Sequence, residues 1–321
     1  MAQCKTSPEV GGMGHSVKRK EDPRFIRGQG NFVDDVVRPG MVYMDIVRSP
    51  YAHAKIKSIN TEKALAHPGV AAVITGETLK EYNLHMMPTL MSDTQMVLPI
   101  DKVCYQAQEV AAVVATDRYS AADGVELVEV EYEPLPVVVD PHKATDPDAP
   151  IIRDDKEGQD SNHIFHWEAG DKSGTDEIFK NADVTVKKDI YLPRIHVASI
   201  ETCGCVSEFD SVTGQLTVWM TTQAPHAIRT VLALVAGHVG LQEDKIRIIS
   251  PDIGGGFGGK VPVYPGYVIA IAASVVTGLP IKWIEDRREN LQADSFARDY
   301  HMTCEIAADK DGTLNGLRIK T

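Results

Sequence analysis

The sequence predicts an α+β fold built from two successive units. Short strand patterns and short amphipathic helices follow one another in mixed order, without the strict strand–helix alternation of a purely parallel sheet. A polar stretch rich in Asp, Pro, Lys and Gly at 141–160 separates the two groups of elements and predicts a linker. Hydrophobic residues make up 43% of the 321 residues, which suits a packed protein.

The first unit is predicted to span 25–140, after an N-terminal lead at 1–24. Asp117 is placed to cap a helix that runs to Leu127, and the apolar run that precedes it predicts a strand covered on both faces. The other helix of this unit is predicted at 61–66. The predicted strands are 41–47, 54–59, 70–75, 108–116 and 130–136.

The second unit is predicted to span 161–321. Pro225 suits the first turn of a helix that ends at Gly237. Its predicted helices are 175–181, 228–236 and 267–277, and its predicted strands are 184–191, 215–221, 245–249, 281–284, 300–306 and 314–319. The last two strands form a hairpin whose outer edge has no partner, so we expect this unit to be incomplete and the chain to be part of a longer one.

Composition and charge exclude several classes of function. Acidic residues exceed basic ones by 45 to 33, so we expect neither nucleic acid nor an anionic membrane as a partner. No apolar run approaches the roughly 20 residues of a membrane span. Five scattered cysteines favour a reducing cytoplasm and supply neither a four-cysteine iron–sulfur site nor a paired zinc site. On a strand, Cys203 and Cys205 would share one face, either as a binding pair or as two small buried residues.

The strongest local signal is the sequence GGGFGGK at 254–260, which has five glycines in six positions. Such a loop frees backbone N–H groups to approach a phosphate or an oxyanion. A phosphate loop of the ATPase kind fits the spacing up to Lys260, but Val261 stands where Ser or Thr has to hold magnesium. A dinucleotide-binding turn is a second reading, with Gly254, Gly256 and Gly259 as its glycines and with Glu285 or Asp286 as the ribose-binding acid.

A third reading comes from resemblance. The motif TQAPH at 222–226, followed about thirty residues later by the glycine loop, resembles the molybdenum hydroxylases, the family of xanthine dehydrogenase and aldehyde oxidase. The first unit resembles the opening hammerhead domain of that family through RGQGNFVDD at 27–35, VRSPYAHA at 47–54 and VEYEPLP at 130–136. Further stretches are similar to its carbon monoxide-oxidising members, namely NLH at 83–85, MPTL at 87–90, NHIF at 162–165, GDK at 170–172 and ETCGC at 201–205.

The resemblance implies a hammerhead-like α/β domain followed by the first part of a molybdopterin-binding α+β domain. It implies a molybdenum ion held by the sulfurs of molybdopterin, in its cytosine dinucleotide form, so that no side chain of this chain ligates the metal. The cofactor-binding residues are then Gln223, Gly254, Gly255, Gly256, Phe257, Gly258 and Gly259. Gln223 would donate its amide to an oxygen on molybdenum, and Phe257 would shield the pocket from water.

The implied reaction is oxidation of carbon monoxide, a small gaseous substrate, with water to carbon dioxide. Two electrons would pass to an iron–sulfur small subunit and an FAD-binding medium subunit, in a dimer of heterotrimers. The family's copper-binding loop, Ala-Tyr-Arg-Cys-Ser-Phe-Arg, and its catalytic glutamate do not occur before Thr321, so we expect the copper-binding cysteine beyond it and the chain alone to be inactive.

Three alternatives stay open at this point. The protein could hydroxylate an aldehyde or an N-heterocycle, as other members of the same family do, because the loop that separates these substrates is absent. It could be an NAD-dependent dehydrogenase that uses Gly254, Gly256 and Gly259. It could also be a scaffold without catalysis that contributes its hammerhead domain to a larger assembly.

Overall fold

A computed structural model describes residues 13–14, 16–89, 93–155 and 159–321. The first twelve residues of the predicted lead and Leu90 of the MPTL motif lie outside these ranges. Eight helices lie within them: α1 Asp22–Phe25, α2 Glu62–Ala66, α3 Gly76–Glu81, α4 Arg118–Glu126, α5 Lys172–Asn181, α6 Pro225–Ala236, α7 Pro265–Thr277 and α8 Arg287–Ala293.

Fifteen strands lie in the same part of the chain. The strands before the predicted linker are β1 Val42–Arg48, β2 Ala54–Asn60, β3 Val70–Thr75, β4 Met86–Pro88, β5 Thr94–Met96, β6 Lys102–Val103, β7 Glu109–Ala115 and β8 Glu129–Pro134. The strands after it are β9 Val184–Leu192, β10 Gly204–Asp210, β11 Gln215–Met220, β12 Ile246–Ile249, β13 Ile281–Ile284, β14 Tyr300–Ala308 and β15 Leu314–Lys320.

A seven-stranded mixed sheet organises the molecule, with the order β12-β11-β10-β13-β1-β7-β3. β1 lies at the junction of the two sequence units, because it pairs in parallel with β13 on one side and antiparallel with β7 on the other. The boundaries predicted for the two units remain a prediction. The tertiary structure adds that strands of both units share this sheet.

Helices cover both faces of this sheet. α7 is buried along Pro265–Ser274 and packs on β10 and β13, because a helix that is apolar on all sides is stable only inside the protein. α4 packs on β1 and β7 from the opposite side. Every residue of β7 is buried, which confirms the predicted strand with two covered faces. Asp117 caps α4 as predicted, by accepting hydrogen bonds from the N–H groups of Tyr119 and Ser120.

Three smaller sheets complete the fold, with the orders β15-β14-β9, β6-β2-β8 and β4-β5. The first contains the predicted hairpin, and β15 forms its edge. The helix α3 and the strands β4, β5, β6 and β10 were not predicted. β10 is an inner strand of the main sheet that contains Cys205, while Cys203 precedes it, and α3 begins directly where β3 ends, with Thr75 as its N-cap. The expected loop at 18–40 contains α1 and a short 3-10 turn at Val33–Asp35.

Candidate functional site

The glycine loop leaves the end of β12, an edge strand of the main sheet, and ends five residues before α7 begins. Its two ends are fixed by one carboxylate. The Glu201 Oε2 atom accepts a hydrogen bond from the N–H of Gly254 at 2.8 Å and from the Lys260 Nζ atom at 3.0 Å. Because the Lys260 side chain is only 3% exposed, this ion pair is a buried brace across the base of the loop.

Three of the glycines are required by close packing. A Cβ atom at Gly254 would lie 2.5 Å from the Glu201 Cβ atom, and one at Gly256 would lie 2.5 Å from the Gln223 Cδ atom. A Cβ atom at Gly259 would lie 2.6 Å from the Val197 Cγ2 atom. Any side chain at these positions has to displace its neighbour, so the loop can lie against these residues only because it lacks side chains.

Gln223 is fixed by the glycine loop itself. Its Oε1 atom accepts hydrogen bonds from the N–H groups of Gly258 at 3.0 Å and Lys260 at 3.3 Å. Its backbone N–H donates to the Lys260 carbonyl oxygen at 2.9 Å. The oxygen end of the amide is thereby occupied, and the Nε2 group has no partner among the described residues. The structure therefore holds a hydrogen-bond donor at a set place beside the loop.

The N–H groups of Gly255, Gly256 and Phe257 also have no acceptor within the described part of the chain. The backbone reaches this arrangement through positive φ angles of 100° at Gly255 and 51° at Phe257. Successive unpaired N–H groups in a turn of this kind form a concave site for an anion. The N–H groups of Gly254, Gly258 and Gly259 donate to protein acceptors, and the binding role predicted for the glycines of the loop remains a prediction.

Phe257 lies at the tip of the loop and is 77% exposed. An ideal Cβ atom at Gly255 would be 2.8 Å from its ring, so the ring covers the loop backbone. A phenylalanine with φ in the left-handed region is strained, which the surrounding loop has to compensate. Its predicted role as a shield of the pocket remains a prediction.

Two of the alternative readings of the loop are wrong. Lys260, which a phosphate loop needs at its mouth, is buried against Glu201. The loop does not open a helix, as a dinucleotide-binding turn does, and the acids assigned to the ribose are used elsewhere. Glu285 is buried beside Arg48, and Asp286 caps α8.

The N-terminal segment reaches the loop through Asp252. The Nη1 and Nη2 atoms of the Arg24 guanidinium group both donate to the Asp252 carboxylate, which also accepts a hydrogen bond from the N–H of Asn31 at 2.8 Å. The hydrogen bonds from Arg24 hold the pKa of Asp252 below its ordinary value. The side chains of Arg24 and Asp252 are therefore charged and paired at neutral pH.

An acidic cluster of buried side chains lies near the glycine loop and consists of Cys203, Glu285, Asn290 and Asp294. The Cys203 Sγ atom donates to the Asp294 Oδ2 atom at 3.4 Å, and the Asn290 Nδ2 atom lies 3.4 Å from the Glu285 Oε2 atom. Cys203, Glu285 and Asp294 could supply three ligands to a metal ion, since one ligand atom of each lies within 4.8 Å of the others. Burial raises the pKa of the Glu285 carboxyl, and the neighbouring Asp294 raises it further. Cys205 is fully buried in the apolar core, as expected for a small buried residue and not for a member of a binding pair.

This acidic cluster is connected to the glycine loop by Tyr264. The Tyr264 hydroxyl donates to the Gly259 carbonyl oxygen at 2.6 Å and lies 2.9 Å from the Ser295 hydroxyl oxygen, next to Asp294 in the chain. On the far side of the cluster, Arg48 pairs with Glu109 and Glu289.

Sequence models of two domains match this chain. The molybdopterin cofactor-binding domain matches residues 156–321, more than half of the chain. The chain belongs to the molybdopterin cofactor-binding family. The aldehyde oxidase and xanthine dehydrogenase a/b hammerhead domain matches residues 27–136. These matches confirm the predicted fold class, a hammerhead domain followed by a molybdopterin-binding α+β domain.

The chain is similar to named proteins along almost its entire length. It is 57% identical over 316 residues to the carbon monoxide dehydrogenase large chain of Afipia carboxidovorans, and 55% identical over 319 residues to that of Hydrogenophaga pseudoflava. These alignments cover 96% and 97% of this chain and 39% of each relative. The crystal structure of a Cu,Mo-CO dehydrogenase in its carbon monoxide-reduced state superposes with a TM-score of 0.88 at 56% identity, over 98% of this chain and 40% of that one. This chain thus spans about two fifths of the length of these relatives.

Sequence reasoning found Gln223 and the glycine loop, and the structure brings them together. It missed the residues that hold the loop in place, Arg24, Glu201, Asp252 and Lys260, in these roles. Glu201 stood in a quoted motif, but its contact with the loop spans fifty-three positions of sequence and leaves no local signal. Within the described residues, no helix has the length and apolar character needed to cross a membrane.

Proposed function

We propose that this chain is the N-terminal portion of the molybdopterin-binding large subunit of an enzyme that oxidises carbon monoxide with water to carbon dioxide. The single observation that carries the proposal is that the fixed Gln223 amide and the three unpaired N–H groups at 255–257 lie side by side as hydrogen-bond donors. The high identity to carbon monoxide dehydrogenase large chains supports carbon monoxide as the substrate.

The residues present fit the proposed cofactor. Molybdopterin carries an anionic phosphate and its molybdenum carries oxygen ligands, so it needs hydrogen-bond donors and no protein ligand to the metal. The loop offers three unpaired N–H donors at 255–257, and the Gln223 Nε2 group beside them is a fourth. When bound, the cofactor supplies the two-electron oxidation at molybdenum.

Each residue has a distinct proposed role. The Gln223 Nε2 group would donate a hydrogen bond to the bound metal group, and as a neutral donor it would stabilise developing negative charge without changing its own protonation. The N–H groups at 255–257 hold an anionic part of the cofactor. The exposed Phe257 ring shields the reacting atoms from water once the rest of the site is assembled.

The finer assignments belong to the same proposal. We infer the cytosine dinucleotide form of the cofactor, and a copper ion bound by a cysteine outside this chain. Electrons leave to an iron–sulfur small subunit and an FAD-binding medium subunit, in a dimer of heterotrimers. The four described cysteines are all free, which supports a reducing cytoplasm as the location.

Substitution of Gln223 in the intact enzyme tests the proposal. We expect Gln223→Ala to lower carbon monoxide turnover by about 10²-fold, the cost of losing one donor to a developing oxyanion, and to leave molybdenum content close to that of the wild type. The measurements are kcat with carbon monoxide and metal content by mass spectrometry. Gln215→Ala, on an exposed position at the start of β11, is the matched control and should change neither.

Other outcomes discriminate between the alternatives. Loss of molybdenum from the Gln223 variant would assign this residue to cofactor assembly and overturn its catalytic role. Wild-type turnover of an aldehyde or an N-heterocycle, without turnover of carbon monoxide, would favour the other substrates of the family.

A further inference from the structure

The ion pair between Arg24 and Asp252 joins the N-terminal segment, residues 18–40, to the stem of the glycine loop, the residues 250–253 between β12 and Gly254. Asp252 lies two residues before Gly254 and three before Gly255, the first residue of the glycine loop with an unpaired N–H group. The Asp252 carboxylate accepts hydrogen bonds from the Arg24 fork and from the Asn31 N–H. The backbone N–H of Asp252 donates in turn to the Asn31 carbonyl oxygen at 3.1 Å. The stem is therefore held through both its side chain and its backbone.

The segment that holds Asp252 is itself braced. The Gln29 N–H donates to the Arg24 carbonyl oxygen at 2.9 Å, which closes a tight turn. The Arg24 guanidinium lies 4.5 Å from the centre of the Phe25 ring, and the Phe25 and Phe32 rings are stacked with centroids 6.5 Å apart. A braced fork on a carboxylate fixes direction as well as distance, because its two N–H groups are parallel and rigid.

A cleft of about 430 Å³ separates this segment from the loop. Its walls include Arg19, Phe25, Phe32, Ile253, Gly254 and Gly255. Arg24 and Asp252 directly precede the lining residues Phe25 and Ile253 in the chain, so their ion pair ties the two sides of the cleft together next to these residues.

We propose that Arg24 is a positioning residue of the glycine loop, which acts through Asp252 to aim the N–H groups at 255–257 at the cofactor. This inference rests on the proposed function, because it assumes that these N–H groups receive an anionic part of the cofactor. It adds that the N-terminal segment, far away in sequence, controls how firmly the cofactor is held.

A second long-range ion pair provides a matched control. Arg38 pairs with Glu208 at 2.8 Å and stacks on the Trp219 ring at 5.0 Å. It too links the N-terminal segment to the second unit, and its side chain is as exposed as that of Arg24, 38% against 39%. Arg38 contacts β10 and β11 rather than the loop, so its substitution measures how much cofactor is lost when any long-range ion pair of this segment is removed.

The test uses the complete enzyme and measures cofactor retention together with activity. Arg24→Ala, Asp252→Asn and the double variant are compared with Arg38→Ala after passage through a gel-filtration column, by molybdenum content and by released pterin. We expect the cofactor to be lost about tenfold faster from both Arg24→Ala and Asp252→Asn, the usual effect of removing a residue that orients a binding group. The double variant should lose it no faster than either single one, because both remove the same contact.

Further variants keep the outcome decisive. Arg24→Lys retains the charge but not the fork, and we expect it to recover only part of the retention. If Arg24→Ala fails to fold, Asp252→Asn decides, since it keeps the shape of the side chain and an oxygen for the Asn31 N–H.

Equal retention in the Arg24, Asp252 and Arg38 variants would overturn the positioning role. The proposed function is checked separately by Gly256→Ala, which alters the loop directly. If that variant also retains cofactor as the wild type does, the loop is not the binding site and the proposed function fails. If it loses cofactor while the Arg24 variants do not, only the positioning role fails.

Discussion

At the scale of single residues, the site depends on contacts that leave no space. Gly256 is the clearest case, because its missing side chain lets the Gln223 amide lie against the loop. The same amide carbonyl accepts the N–H groups of Gly258 and Lys260, so the side chain and the loop define each other's positions. A change in either is therefore felt by both.

We expect Gly256→Ala to destabilise the protein by about 1–3 kcal/mol, since a Cβ atom 2.5 Å from the Gln223 Cδ atom forces the side chain or the loop to move. Chemical denaturation measures this. Gly237→Ala is the control, because a Cβ atom there would meet nothing within 4 Å, and its effect should stay within about 1 kcal/mol. Equal stability of the two variants would show that Gln223 is not held as described.

At the scale of elements, a group of buried charges joins β1, β7, β13 and α8. Arg48 of β1 pairs with Glu109 of β7 and Glu289 of α8, and Glu285 follows the last residue of β13. Asp45, on the same strand as Arg48, has its pKa raised to about 6 by burial and by the nearby Glu289. Arg48 alone thus faces several carboxyl groups, and protonation of some of these carboxyl groups reduces the excess negative charge around it.

The buried Glu285 carboxyl is expected to lower the free energy of unfolding as the pH rises. Because its pKa is raised in the folded state, the folded protein holds a proton that the unfolded chain has released above the ordinary pKa of about 4.5. Its contribution to the free energy of unfolding therefore falls as pH rises, by at most about 1.4 kcal/mol per pH unit.

We expect Glu285→Gln to lose less stability than the wild type between pH 7 and pH 9, a range above the titration of Asp45. Urea denaturation at the two pH values measures the difference, and Glu81→Gln, on the exposed end of α3, should behave as the wild type does. Parallel losses in all three proteins would mean that Glu285 is ionised in the folded state.

At the scale of the whole molecule, the two sequence units are bound together by more than the sheet. Lys282 of β13, 3% exposed on its side chain, donates to the Asp34 carbonyl oxygen at 2.6 Å. Arg38 and Arg24 of the N-terminal segment pair with Glu208 and Asp252 of the second unit. Asp34 and Arg38 lie in the stretch that matches the hammerhead domain, so this domain contacts the cofactor-binding domain directly, and Arg24 adds a contact from the residues just before it.

We expect the shared sheet to unfold in a single step. Hydrogen exchange followed by mass spectrometry, at increasing denaturant, should give the same opening free energy for the amides of β7 and β13, because β1 connects them. β9, whose residues are exposed along almost its whole length, should exchange at lower denaturant and serves as the internal comparison. Separate transitions for β7 and β13 would show two independent units.

The local elements and the chemical character of the site could be predicted from the order of residues alone. Strand alternation, the Asp117 cap and the proline at the start of α6 act over a few residues, so their predicted elements are found within a few positions. The glycine loop and Gln223 were visible because five glycines in six positions are rare, and because their motifs resemble those of a known family.

Which N–H groups stay unpaired, and which residues hold the loop, depends on contacts that form only in the folded protein. The contacts of Glu201 with Gly254, of Gln223 with Gly258 and of Arg24 with Asp252 join residues far apart in sequence. Pairing between distant strands, such as β1 with β13, is likewise set by the packing of the whole core. Such contacts form when the chain closes on itself, and no local pattern of residues encodes them.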